Sequence, residues 1–157
     1  MMAVNYLDQE IYNDYNRLLE RAEGKLDENH IGSIQIQYLY ARSYFSKEIQ
    51  VSKRIQEAFN YDKEQLEAYW TDFGIYQKGM IALALDRFAN EAIPKKIMKS
   101  VKEFALYSDE MGMYWRNNSG GYYWYEAPIE TQALLIEAFD EIMDDKESVE
   151  LMKIWLL

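Results

Sequence analysis

Along most of the chain, apolar residues recur every three or four positions, the spacing that gathers them on one side of an α-helix. Alternation of apolar and polar residues, the mark of a half-buried strand, is not sustained anywhere. The pattern predicts helices over 5–22, 31–45, 62–72, 75–89, 94–108, 128–143 and 146–157. The punctuation agrees, with only two prolines and seven glycines in the chain. Gly24 follows the first segment, and Asp62 stands as an N-cap with Gln65 completing a capping box. Pro94 and Pro128 each take a first helical position, where the missing N–H costs nothing. Asp144 and Asp145 stop one helix and cap the next.

Two kinds of helix are expected. In 75–89 the run from Met80 to Leu85 is apolar around most of the circumference. In 128–143 Ala133, Leu134, Leu135, Ile136, Ala138, Phe139 and Ile142 do the same, and such helices must be covered on nearly every side. By contrast, 94–108 has one apolar stripe of Ile97, Met98, Val101, Phe104 and Ala105, opposite a solvated face of Lys95, Lys96, Lys99, Lys102 and Glu103. Alternation of the two kinds is what two concentric layers of helices require. A weak repeat fits this: Ala41 to Phe45, Ala84 to Phe88 and Ala138 to Ile142 each place alanine four residues before a large apolar residue near a helix end. Three hairpins of this kind make an arc of an α/α barrel or solenoid. The same spacing is also compatible with an irregular bundle.

Composition narrows the chemistry. The chain has 157 residues, 49% hydrophobic and 15% aromatic, enough for one domain with a real core and too apolar for disorder. A formal net charge of -10 disfavours nucleic acid and anionic lipid alike. With no cysteine, there are no disulfides, thiolate metal sites or thiol nucleophiles, and one histidine, His30, argues against His-rich metal sites and Ser–His–Asp triads. The opening residues lack the basic-then-apolar pattern of a secretory signal, and no apolar run approaches the roughly 20 residues of a membrane span. The last residues, Leu151 to Leu157, are apolar and mid-helix, and chain ends are usually polar and frayed. The expectation is therefore a piece of a longer polypeptide.

The segment Tyr114-Trp115, then Gly120-Gly121-Tyr-Tyr-Trp124-Tyr-Glu-Ala-Pro-Ile-Glu-Thr-Gln-Ala-Leu-Leu-Ile-Glu-Ala-Phe139, leading into Glu150-Leu-Met-Lys-Ile-Trp-Leu-Leu157, resembles the thioester (complement-like) domain of bacterial alpha-2-macroglobulin-family proteins, particularly the Bacteroidetes type. Tyr38 to Phe45 and Gly79 to Leu85 are similar to earlier repeats of that domain, so the resemblance spans about residues 31 to 157. It implies an α/α toroid, of which this chain supplies about half, within a large periplasmic or cell-surface protein that captures or blocks proteases. The family's thioester joins a Cys thiol to a Gln carbonyl, and this sequence has no Cys to carry it.

The most conspicuous candidate site is an aromatic loop. Trp115, Tyr122, Tyr123 and Trp124, with Tyr114 and Tyr125 beside them and Arg116, Asn117, Asn118 and Ser119 between, could stack on sugar faces or grip a peptide. The competing reading folds these rings back over the helix ends. Glu126 and Glu130, four apart around a helix start, could form the carboxylate pair of glycoside hydrolysis. Acids at that place are also favoured by the helix dipole alone. Asp140, Glu141, Asp144 and Asp145 offer oxygen ligands without the spacing of a calcium loop, His30 reads as a capping or surface residue, and Asn117-Asn118-Ser119 is formally a glycosylation sequon.

Taken together, the expectation is an all-α single domain over 1–157, a partial α/α toroid of about three helical hairpins, without catalytic residues, metal or cofactor. Its implied role is in protease trapping and envelope or host defence. Its expected partners are the other domains of the parent chain and proteases, with self-association through the apolar C-terminal helix, and with neither nucleic acid nor membrane insertion. The rival expectations are a carbohydrate-active α/α-barrel fragment built on Glu126 or Glu130, and a helical-repeat module that reads peptide or glycan through Trp115 and Trp124.

Overall fold

The structure, a computed structural model, describes residues 2–123 and 126–157. The chain is all-α with one short hairpin. In order it forms α1 (Met2–Arg21), α2 (Ser33–Ser43), α3 (Gln56–Tyr69) with a 3-10 turn at Trp70–Asp72, α4 (Ile75–Arg87), α5 (Ile93–Glu103), β1 (Leu106–Ser108), β2 (Gly112–Tyr114), α6 (Pro128–Met143) and α7 (Lys146–Leu156).

Helices α2, α4 and α6 run side by side in the same direction, with α4 in the middle. At their starting ends Gln77 Nε2 of α4 donates to Ser33 Oγ of α2 at 3.5 Å. At their far ends Arg87 of α4 reaches Ser43 of α2 and Glu137 of α6. A second row lies behind: α3 touches α2 and α4, α5 touches α4 and α6, α1 packs on α2 and α3, and α7 packs on α6 and β2. Enclosed in this way, α4 buries every residue from Met80 to Leu85, none more than 3% exposed. Each large side chain there contributes about 1.5–3 kcal/mol of transfer free energy. Gly79 is part of that fit, since a Cβ would press on Leu134 of α6 at 3.1 Å.

The starts of the first row repeat a local device. Gln35 accepts the N–H of Gly32 at 3.1 Å, and Gln77 accepts the N–H of Gly74 at 3.3 Å. In each case a side chain three residues into the helix reaches back to its N-cap, one half of a capping box. At the end of α6, Asp144 takes the left-handed conformation at φ 48, and Asp145 caps α7 by accepting the N–H of Ser148 at 3.1 Å.

Four expectations need correction. Helix α3 begins at Gln56, so Asp62 is no N-cap; it lies in mid-helix among the buried residues Ala58, Phe59, Gln65 and Leu66. Two polar residues on the inward face interrupt the apolar stripe, which made the helix read as starting late. Helix α5 ends at Glu103, and Phe104 is 74% exposed rather than part of a buried stripe. The chain turns there into the hairpin, and Met113 and Trp115 fill the core in its place. On α6, Ala133 is exposed and Ile129 is 64% exposed, so that helix is covered less completely than its composition suggests. Of the three repeat alanines, Ala84 and Ala138 are fully buried but Ala41 is exposed.

Candidate functional site

The loop between β2 and α6 crosses the starting ends of α4 and α6, and the aromatic residues on it divide sharply. Trp115 is 4% exposed. Its indole N–H donates to the carbonyl of Val101 at 2.8 Å, in the last turn of α5, where that carbonyl also accepts the Phe104 N–H at 3.3 Å. Its ring leans on Phe139 of α6 with centroids 6.2 Å apart. A residue so engaged seals the end of α5 against the core. Tyr122 and Tyr123, by contrast, are 95% and 55% exposed and meet edge to face at 5.5 Å. Trp124 and Tyr125 lie outside the described residues.

Glu126 organises the loop. Its carboxylate accepts the N–H of Tyr123 at 3.0 Å, its N–H donates to the carbonyl of Tyr123 at 2.8 Å, and its carbonyl accepts the N–H of Gly121. A Cβ at Gly121 would displace that carboxylate from the place where it accepts the Tyr123 N–H. Asn118 fastens the other limb by donating to the carbonyl of Pro128 at 2.9 Å.

Below the loop are two adjoining hollows. The smaller, about 190 Å3, is lined by Tyr76, Gln77, Asn117, Ser119, Glu126 and Thr131 among others. The larger, about 630 Å3, lies between Phe73, Lys78, Val101, Phe104, Trp115 and Arg116. Glu130 lines neither; it is exposed at the third position of α6, the place Gln35 and Gln77 hold in α2 and α4. The two carboxylates therefore differ in setting, Glu126 folded into a loop clasp and Glu130 in water on the first helical turn. Burial first, and then the charge of Glu130, hold the Tyr76 phenol above its ordinary range.

The acids near the α6–α7 junction each meet a cation: Asp140 and Asp144 pair with Lys146, Glu141 with Arg87, and Asp145 with Lys102. His30 donates its backbone N–H to Gln65 at 2.8 Å, and its Nε2 lies 2.8 Å from the carbonyl of Lys25.

Three buried polar groups lie outside the candidate sites that the sequence suggested. Asp8 of α1 accepts hydrogen bonds from Tyr38 at 2.7 Å and Arg42 at 3.1 Å, a buried ion pair that fastens α1 to α2. Gln132, fully buried, donates to the carbonyls of Met113 and Met152 and so pins the hairpin and α7 to α6, while its Oε1 has no partner among the described residues. Asp62 is 7% exposed, and burial, with the charge of Asp14 added, pushes its carboxyl up to about 7. The sequence does hold a signal for it: Ala58 and Leu66 stand four residues to either side, the spacing of one helix face.

No family model, curated protein or solved structure matches this chain.

Proposed function

We propose that this chain is an arc of a larger helical ring, a non-enzymatic scaffold within an alpha-2-macroglobulin-like envelope protein that traps proteases. The observation that carries this reading is the state of the two outermost helices of the first row. On α6, Ile129, Ala133 and Ile136 form a stripe at helical spacing, the first 64% exposed and the last only half-buried. On α2, Ile34 is 69% exposed and Ala41 is uncovered as well, and Phe45, just past the end of the helix, is 43% exposed. Both ends of the row thus offer apolar positions of the kind that another parallel helix would cover, while α4 between them is sealed. Ile154 and Leu156 of α7, each 40% exposed, extend the uncovered side into the second row. Two rows of helices growing by hairpins fit repeat addition, in which each unit needs its neighbours to bury its faces. The 114–157 resemblance supplies the family and the role.

The native reading frame and its product test this. The frame is expected to run on past Leu157 into further helical hairpins, and the full product to block protease action on a protein substrate while sparing a short peptide substrate. A frame that stops at Leu157, or a product without effect on protein cleavage, overturns the reading. The chain alone should self-associate through the uncovered stripes, as exposed apolar patches do. Sedimentation should show a dimer or larger species that Ile129→Glu together with Ile154→Glu returns to monomer. A monomer from the outset would contradict the open-arc reading.

A further inference from the structure

A cleft of about 530 Å3 opens between α1, α3, the start of α2 and the connection leading to it. Asp62 of α3 lines it. Asp62 is more than nine-tenths buried as a residue, and its carboxylate, which keeps access to the cleft, accepts no hydrogen bond and joins no ion pair among the described residues. A largely buried carboxylate with no protein partner is costly even where the cleft admits water, and a proton or a cation relieves that cost. Asp14 of α1 lines the same cleft, paired only with Arg17 at 3.2 Å in a largely exposed contact that contributes little. The remaining wall is apolar: Ile11, Leu18, Ala22 and the ring of Tyr15.

We propose that this cleft is a binding site for a protonated primary amine on a short alkyl chain, with Asp62 as its buried counter-ion. An ammonium group has three donors and no acceptor. Asp62 and Asp14 supply charged acceptors, and the Gln35 carbonyl oxygen, which takes only the Gly32 N–H at 3.1 Å, keeps a second lone pair. The alkyl stem lies against the apolar wall, in which Tyr15 is held by Tyr61 at 5.1 Å between ring centroids and by its hydroxyl donating to Glu57 at 3.2 Å. A metal ion fits less well, since the described residues hold no group of three acidic or histidine side chains placed to bind one. The other charged or titratable groups on the cleft are Arg21, exposed at the rim with Nε on the Arg17 carbonyl, and His30, whose Nε2 is taken by Lys25. Arg21 at the rim disfavours a second cation at the ligand's far end, so a monoamine is the better match. The net charge of -10 raises the local concentration of any cation.

The full chain titrated with n-butylammonium chloride, followed by NMR shifts of α1 and α3 amides, tests this, with n-butanol as the uncharged control. Saturable binding at about 1 mM is expected at pH 8, weaker at pH 5.5 where Asp62 holds its proton, and none for butanol. Asp62→Asn should weaken it about tenfold or more, and Asp14→Asn about three- to tenfold. Nα-acetyl-lysine amide distinguishes a free amine from a lysine side chain as the source: equal binding assigns the side chain, and loss of binding assigns the small amine. No saturation with the unmodified chain, equal binding of butanol, or unchanged affinity in either Asn variant overturns the proposal; Asp14→Asn decides it alone if Asp62→Asn does not fold.

Discussion

Asp62 shows how a single residue can set the pH response of a fold. Its carboxyl is pushed up from 3.8 to about 7 by burial and by Asp14. Between those values the folded chain holds a proton that the unfolded chain has released, so folding is favoured by low pH. The contribution is whole below about pH 4 and is lost as pH rises through about 7. Three pH units correspond to roughly 4 kcal/mol at most. Urea unfolding at pH 5 and pH 8 should show the unmodified chain losing about 2–4 kcal/mol from this group over that interval. Asp62→Asn, which carries no charge to bury, should flatten that part of the profile and be the more stable protein at pH 8. An unchanged pH slope in the variant would mean that another group carries it.

At the scale of elements, the β-hairpin is where local pattern and tertiary demand part. Three-residue strands are too short to show alternation, and Phe104 and Leu106 continue the apolar spacing of α5, so the sequence reads as helix to residue 108 while the chain turns after Glu103. What decides the turn is distant: β2 lies against α7, so closely that a Cβ at Gly112 would run into the Leu151 carbonyl oxygen. The φ of Gly112 is also +65. Gly112→Ala should therefore cost about 2–4 kcal/mol in urea unfolding. Gly24, with φ +85 but nothing within 4 Å, is the control, and Gly24→Ala should cost only about 1 kcal/mol. Equal losses would show that backbone conformation, not the close approach to α7, governs the hairpin. The boundaries that were legible have local signals: Pro94 and Pro128 at helix starts, Asp144 and Asp145 between α6 and α7. The candidate site was legible only as a composition of rings and acids. Whether a ring is sealed, as Trp115 is, or exposed, as Tyr122 is, depends on which carbonyl or ring it meets from another element, and periodicity carries no such information.

At the scale of the molecule, the row α2–α4–α6 is closed at its far end by one guanidinium. Arg87 donates to both Glu141 oxygens at 2.8 and 2.6 Å and to Glu137 at 2.6 Å, and it sits 4.2 Å from the Tyr44 ring centroid. Glu137 in turn accepts from Tyr40 at 3.2 Å and Tyr44 at 2.8 Å, so residues from the two outer helices of the row meet across the end of the middle one. This clasp draws α2 and α6 toward each other and so bears on the curvature of the row, whereas the apolar faces of α4 set only the spacing. Arg87→Leu keeps the stem's packing and removes the fork. It leaves two partly exposed carboxylates close together, and a loss of about 1–3 kcal/mol is expected, part of it recoverable at high salt because the repulsion is screened. The loss should be local. Hydrogen exchange is expected to quicken at the last turns of α2 and α6, with α5 and α7 unchanged, since the clasp's hydrogen bonds among the described residues join α2, α4 and α6 alone. If exchange rose evenly over all helices instead, Arg87 would be stabilising the whole fold rather than fastening its two outer helices.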